Sequence, residues 1–215
     1  MPDVSFQIEG AEAIPFAATP QLAFKLSLSN SNPAEAIHTV ALRCQILIEA
    51  TRRRYSASEQ QSLLDLFGEP DRWSQTLRSL LWTHASVVVP AFQGRTLTDL
   101  PVPCTFDFNA AATKYFHGLG DGEIPLCFQF SGTIFYVSSD LGLQVAPISW
   151  EKEARFKLPV NVWRDMMNHY HPNSAWLCLR RDVVERLHQY KIRHGLPTWE
   201  QALEEVLAAE ETVRR

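Results

Sequence analysis

Apolar and mainly polar residues alternate along the chain from residue 40 to residue 48. Because successive side chains of a β-strand point to opposite faces, this pattern predicts a strand with one buried face. Similar patterns predict further strands at residues 4–8, 22–28, 80–89, 102–108, 126–136, 143–148 and 154–158. Gly132 is expected to kink the strand that contains it, and residues 140–142 are predicted to form a hairpin turn.

Helical signals are sparse in the first two-thirds of the chain and dominate afterwards. Ser56 followed by Glu59 predicts a capping box at the start of a helix. Residues 109–119 predict a short helix whose apolar face has helical spacing. Three further helices are predicted after Pro159, the last capped by Thr198 and Gln201. The apolar face of the 109–119 helix comprises Ala112, Tyr115, Phe116 and Leu119.

This order of elements indicates an α+β fold, a largely antiparallel β-sheet or sandwich with a C-terminal helical cap. We expect residues 1–158 to form a mainly β, sandwich-like region with short helices, and residues 159–215 to form a helical cap packed on the same domain. The strands at residues 22–28 and 40–48 are expected to be antiparallel neighbours, because the connection between them is short and polar.

Composition narrows the class of protein without indicating an activity. Of 215 residues, 46% are hydrophobic and 20% charged, as in ordinary globular proteins, and the net charge is −4. We therefore expect no nucleic-acid partner. The N-terminus has no secretory signal pattern, and no apolar run approaches the roughly 18 residues of a spanning helix, so a cytoplasmic protein without a membrane span is expected.

The four cysteines are scattered and form no C-x-x-C pair, so we interpret them as reduced, buried core residues. A nucleophile could be drawn from Cys104 or Ser131 with Asp107 and His117. Cys104 lies on an apolar strand face, however, and Ser131 lacks the flanking glycine of a nucleophile elbow. The four cysteines are Cys44, Cys104, Cys127 and Cys178.

Other candidate chemistry is equally weak. His169 and His171 flank Tyr170 and could bind a transition metal, but no cysteine or carboxylate stands at ligand spacing beside them. Exposed histidines at a helix C-terminus explain the pair without a metal, and we predict no cofactor.

The charged clusters are also explained by structure. The carboxylate pairs fit turns or solvated helix faces, and the basic clusters fit a charged strand end or loop. The carboxylates are Asp121, Glu123, Glu204, Glu205, Glu210 and Glu211, and the basic residues are Arg52, Arg53, Arg54, Arg180 and Arg181.

Several segments resemble an uncharacterised family, domain of unknown function 6084. They are residues 103–108 (PCTFDF), 111–116 (AATKYF), 119–126 (LGDGEIPL), 130–136 (FSGTIFY), Trp163 and residues 172–177 (PNSAWL). The resemblance implies a bacterial, cytoplasmic protein encoded near uptake-type nickel–iron hydrogenases, with no functional residue to transfer. It thus implies an accessory role in hydrogenase maturation or assembly.

Aromatic residues favour protein binding over the other interpretations. The chain has six tryptophans and twelve phenylalanines, and aromatic side chains anchor interfaces when they reach the surface. Packing of the cap on the sheet is the competing explanation. The candidate interface residues are Lys114, His117, Trp163, Trp176 and Trp199.

We therefore expect a non-enzymatic, cytoplasmic protein-interaction module, for which the resemblance implies a role as a hydrogenase accessory factor. One alternative is a metal-handling protein or enzyme with a pocket between sheet and cap, near Cys104, His117, His169 and His171. The other is a small-ligand-binding sandwich with aromatic residues lining a cavity. The partner and the oligomeric state stay open.

Overall fold

The computed structural model describes residues 2–33, 35–138 and 141–213. In this part of the chain, eight β-strands form two antiparallel sheets, and seven α-helices lie between or after the strands. The α+β class predicted from the element order is confirmed. The strands are β1 (Val4–Ala13), β2 (Gln21–Asn30), β3 (Ile37–Ile48), β4 (Leu80–Val89), β5 (Arg95–Pro103), β6 (Glu123–Ser138), β7 (Gly142–Pro147) and β8 (Glu153–Pro159).

The helices are mostly short. Those that intervene between strands are α1 (Ala57–Ser62), α2 (Leu64–Phe67), α3 (Trp73–Thr76) and α4 (Ala111–Gly118). The C-terminal ones are α5 (Val160–Tyr170), α6 (Arg181–Arg193) and α7 (Trp199–Val213).

The two sheets pack face to face. The first has the order β1-β2-β5, and the second has the order β4-β3-β6-β7, with β8 paired to the other end of β6. Aromatic rings join the inner faces: Phe6 stacks on Phe130 with centroids 4.4 Å apart, and Phe24 meets Phe128 edge-on at 4.9 Å. The alternation in β3 places its apolar side chains in this core, because residues 40, 42, 44, 46 and 48 are all buried.

The predicted pairing of the second and third strands is wrong. Both edges of β2 are occupied within the first sheet, by β1 and by β5. β3 instead pairs with β4 and β6 in the opposite sheet. The connection between them is shaped by Asn30, which is buried and whose side-chain amide donates to the carbonyl of Glu35. A period-2 pattern specifies which face of a strand is buried, but it does not specify the strand's neighbour.

Three further elements can be compared with the expectations from the sequence. The strand expected at residues 102–108 is β5, which ends at Pro103 and lies at a sheet edge, a position that tolerates Pro101 and Pro103. The capping box of Ser56 and Glu59 is present, but the helix that it begins breaks after Ser62 into α1 and α2. β6 and β7 are antiparallel partners, as a hairpin requires, but residue 140 of the turn expected at residues 140–142 lies outside the described residues, as does residue 139.

β6 runs through Gly132, so the strand is not interrupted there, contrary to expectation. Gly132 has φ 135°, and a Cβ on it would lie 2.1 Å from the carbonyl oxygen of Ala41 on β3. The glycine is therefore required for close approach of the two backbones. It also marks the point where β6 changes partner, because β8 pairs with residues 123–129 and β7 with residues 133–138.

The chain divides into two compact units, Met1–Trp176 and Leu177–Arg215. The first unit contains both sheets and α5, and the second contains α6 and α7. The predicted boundary between residues 158 and 159, and the packing of the cap on the β region, stay predictions. No helix in the described part of the chain is both long and apolar enough to span a bilayer.

Candidate functional site

An open cavity of about 810 Å³ lies in the first unit, where the ends of several elements meet. β4 contributes Trp82, the segment after β5 contributes Cys104 and Phe106, and the end of α5 contributes Tyr170 and His171. We call this cavity the Trp176 groove. Its remaining lining residues are Ala18, Thr19, Pro20, Leu81, Thr83, Pro103, Thr105, Ala110, Ala111, Ala112 and Trp176.

The aromatic walls of the groove are fixed by contacts with their surroundings. The rings of Phe106 and His171 are almost parallel, with centroids 5.2 Å apart, and Trp176 lies 4.9 Å from His171. The backbone carbonyl of Trp176 accepts a hydrogen bond from the amide of Phe108 at 3.1 Å. Trp176 itself is 59% exposed, so its ring is held in position while much of its surface faces solvent.

A smaller cavity of about 420 Å³ adjoins the Trp176 groove, because Phe106 and His171 line both cavities. It has an aromatic floor that includes Phe116 and Trp163, and its rim carries His117 and Arg164. The predicted candidates are thus divided: Cys104, His171 and Trp176 line the Trp176 groove, and His117 lines the smaller cavity. His169 lines neither cavity, and its ring lies edge-on against Tyr170.

The groups drawn as a nucleophilic triad contact other partners. The thiol of Cys104 donates to the carbonyl of Val102 at 3.5 Å, and the carboxylate of Asp107 accepts from the amide of Asn109 at 2.9 Å. Burial raises the pKa of Cys104 to about 12, so the thiol is protonated at neutral pH and is a poor nucleophile. Ser131 lies on β6 opposite Arg43 of β3, within the sheet.

The cysteines do not all behave as core residues. Cys44, Cys104 and Cys127 are buried, whereas Cys178 is exposed in the extended segment before α6, which corrects the expectation for that residue. Among the residues that the structure describes, no group of three or more His, Cys, Asp or Glu side chains converges on a position for a metal ion.

The interface candidates differ in accessibility. Trp163 is 3% exposed and packs against Phe116 at 5.2 Å, so its side chain serves the core rather than a surface. Lys114 forms an ion pair with Asp65, and the exposed ring of His117 lies against Phe108 at 4.7 Å. Trp176 and Trp199 are the exposed tryptophans among these candidates.

A buried polar cluster, not expected from the sequence, holds the loop between α4 and β6. Arg53 donates to Glu59 Oε1 and to the carbonyl of Glu123, each at 2.6 Å, and also to the carbonyl of Asp121. Glu59 Oε1 in turn accepts the amide of Gly120 at 2.9 Å. The side chains of Arg53 and Glu59 are 10% and 7% exposed, so Arg53 is a structural residue and not part of a charged, solvated strand end. We call these five residues the Arg53 cluster.

Three other carboxylates noted in the sequence, Asp121, Glu123 and Glu205, also have structural partners. Asp121 accepts from the amide of Gly122 at 2.7 Å, and Glu123 lies 3.3 Å from Lys157. In the second unit Glu205 lies 3.6 Å from His194. The side chains of Glu210 and Glu211 lie outside the described part of the structure.

The second unit exposes apolar surface on both of its helices. α6 has no buried residue, and in the part of α7 whose side chains are described Ala202 alone is buried. Trp199 lies between the helices, 5.8 Å from the ring of His188 and 5.9 Å from the ammonium of Lys191, and remains 42% exposed. The exposed apolar side chains, which we call the α6–α7 apolar surface, are Val184, Ile192, Trp199, Leu203, Val206 and Leu207.

Comparison with known proteins identifies the family of this chain but no activity. The solution structure of a late embryogenesis abundant (LEA) protein matches with a TM-score of 0.32 and 14% identity, over 74% of this chain and 73% of that chain. The crystal structure of the ApaA protein from Bordetella pertussis matches with a TM-score of 0.24 and 12% identity, over 73% and 93%. Likenesses at this level carry no functional argument, and no curated protein sequence matches.

The family assignment rests on a full-length match. The model of a family of unknown function, DUF6084, matches residues 1–215, which include every segment on which the sequence resemblance rests. The chain therefore belongs to the DUF6084 family.

Proposed function

We propose that this protein is a non-enzymatic protein-interaction module that binds its partner through the α6–α7 apolar surface. The observation that carries the proposal is the exposure of apolar side chains on both helices of the second unit. Leu207 is 61% exposed, Ile192 64% and Leu203 46%. Trp199, Leu203, Val206 and Leu207 lie along one face of α7, and contiguous exposed apolar patches mark interaction sites in soluble proteins.

The arrangement of the side chains on α7 indicates how a partner would bind. Trp199, Leu203 and Val206 follow the i, i+4, i+7 spacing of one helical face, and Leu207 extends it. Such a face fits an apolar groove on another protein. Glu200 and Glu204 also lie on α7, so a groove with basic residues at its rim would complement the helix.

The family resemblance supports the choice of partner. The resemblance implies a gene near those of uptake-type nickel–iron hydrogenases, and a gene in that position would fit a cytoplasmic accessory role in hydrogenase maturation or assembly. We therefore take a hydrogenase subunit or maturation protein with an apolar, basic-rimmed groove as the partner.

The decisive experiment is affinity purification of the tagged full chain from its native host, followed by mass spectrometry. The test variant is Leu203→Glu/Leu207→Glu, which places charge on the apolar surface without removing a buried side chain. The matched control is Gln201→Glu, which adds a charge at another exposed position of the same helix. We expect the wild type and the control to recover hydrogenase proteins and the double variant to lose at least nine-tenths of them.

Two outcomes would contradict the proposal. One is equal recovery of hydrogenase proteins by the wild type and the double variant. The other is a wild type that recovers no hydrogenase protein although both are expressed.

An enzymatic or metal-handling role draws less support from the geometry. Cys104 and His171 share the Trp176 groove, but the thiol is protonated, and His169 lies outside the cavity. The other alternative, a small-ligand site, is supported by the presence of the Trp176 groove.

A further inference from the structure

The Trp176 groove has the dimensions of a small-molecule site. Its volume of about 810 Å³ falls within the range of roughly 300–1,000 Å³ that is typical of ligand pockets. All of its lining residues belong to the first unit, and none of them belongs to the α6–α7 apolar surface. Binding in the groove would therefore be a second function, independent of the proposed protein interaction.

The lining disfavours a charged ligand. None of the residues that line the groove in the described structure is Asp, Glu, Lys or Arg. A charged group placed there would lose hydration without gaining an opposite charge, which is costly in a largely apolar site. The neighbouring cavity differs in this respect, because Arg164 lies on its rim.

The aromatic walls favour a flat, aromatic ligand. His171, its parallel neighbour Phe106 and Trp176 form one wall, and Trp82 and Tyr170 add further ring surface. Aromatic rings attract other rings through offset or edge-to-face contacts, which add to the free energy gained from burial of apolar surface.

The polar atom of Tyr170 is already engaged. Its hydroxyl donates to the carbonyl of Ile14 at 3.1 Å and accepts from the amide of Ala17 at 2.9 Å. The hydroxyl therefore fixes the ring against the segment that follows β1, and the ring, rather than the hydroxyl, is presented to a ligand.

From these observations we infer that the Trp176 groove binds an uncharged, planar aromatic small molecule, held by stacking and apolar contacts. Cys104 contributes an apolar floor and forms no bond with the ligand. The ligand is released unchanged, so the site is one of binding and not of reaction.

The test compares two probes of nearly equal shape and different charge at pH 7, 2-naphthol, which is neutral, and 2-naphthoate, which is an anion. Binding to the full chain is measured by isothermal titration calorimetry and located by amide chemical-shift changes in NMR. We expect saturable binding of 2-naphthol at least tenfold tighter than that of 2-naphthoate, with the largest shifts at residues 105–106, 171 and 176.

Two tryptophan variants locate the site. Trp176→Ala removes a wall of the groove and should weaken binding of 2-naphthol at least fivefold. Trp150→Ala is the matched control, because Trp150 is 90% exposed and does not line the groove, and it should leave binding unchanged. Circular dichroism confirms that both variants remain folded.

The inference is overturned if 2-naphthol shows no saturable binding, if 2-naphthoate binds as tightly, or if both tryptophan variants weaken binding equally. Loss of hydrogenase recovery in the Leu203→Glu/Leu207→Glu variant would not affect this result, so the two functions are tested separately.

Discussion

Arg53 and Glu59 form a buried ion pair, with 2.6 Å between Arg53 Nη2 and Glu59 Oε1. The pair joins the start of α1 to the loop between α4 and β6, because Arg53 also donates to the carbonyls of Asp121 and Glu123. Removing one partner of a buried pair leaves an uncompensated charge. We therefore expect Arg53→Ala to lower the free energy of unfolding by about 3–5 kcal/mol.

Urea unfolding followed by circular dichroism measures this effect. The matched control is Arg52→Ala, because Arg52 is adjacent, 55% exposed and paired with Glu49 at 3.1 Å. Glu49 is only 14% exposed, but it keeps a second cation, Arg155, at 3.5 Å when Arg52 is removed, so we expect a loss of at most about 1 kcal/mol. Equal losses in the two variants would show that the Arg53 cluster does not hold the loop.

The same cluster predicts a dependence of stability on pH. Burial by itself raises the pKa of Glu59, but hydrogen bonds from the amides of Ser56 and Gly120 and the Arg53 guanidinium outweigh it, and the pKa is lowered from its ordinary value of 4.5. The unfolded chain therefore binds the proton more tightly than the folded chain does. This stabilisation is present above pH 4.5 and is lost as the pH falls through the folded-state pKa.

Glu59→Gln should reduce that dependence. We expect the wild type to lose more unfolding free energy between pH 7 and pH 3 than the variant loses, measured by urea unfolding at each pH. A variant with the same pH profile as the wild type would exclude Glu59 as a contributor.

Much of the fold could be predicted from local patterns, and the failures share one cause. The alternation in β3 and the helical face of α4 identified buried residues correctly, because periodicity reports which side of an element is apolar. The partner of β2 and the contacts of the Arg53 cluster with the loop between α4 and β6 could not be predicted in this way. Both depend on which segments meet in space, and Gly120 lies 61 residues from Glu59 in sequence.

The candidate site shows the same limit. The sequence singles out Cys104, His171 and Trp176 for different reasons, and the structure brings them to one groove. Trp82 and Phe106 cannot be identified as site residues from the sequence, because an aromatic residue in a strand or loop gives no signal that distinguishes a groove wall from the core.

Gly132 is expected to tolerate no side chain. In Gly132→Ala the new Cβ would meet the carbonyl oxygen of Ala41 at 2.1 Å, and the backbone of β3 or β6 would have to move. We expect a loss of about 3 kcal/mol or more in thermal or urea unfolding. Gly142→Ala is the control, since Gly142 also has a positive φ, 68°, but no atom of the described residues lies within 4 Å of the added Cβ. Its loss should be about 1 kcal/mol, and similar losses would contradict the close approach.

Thiol labelling should separate the exposed cysteine from the buried ones. Burial raises the pKa of Cys44 and of Cys104 to about 12, and raises that of Cys127 to about 11. At pH 8 we expect one thiol to react rapidly with Ellman's reagent, that of the exposed Cys178, and the others to react only on unfolding. The Cys178→Ser variant should show no rapid phase, and a rapid phase in that variant would place a second thiol at the surface.

Site-specific photocrosslinking in the native host tests the proposed interaction most directly. A benzophenone amino acid is placed at Leu207 on the α6–α7 apolar surface, and at Val88 on β4 as the control, since the two side chains are 61% and 68% exposed. If the partner binds this surface, we expect a crosslink from position 207 to a hydrogenase subunit or maturation protein and none from position 88. No crosslink to a hydrogenase protein at 207, or equal crosslinking at both positions, would contradict it.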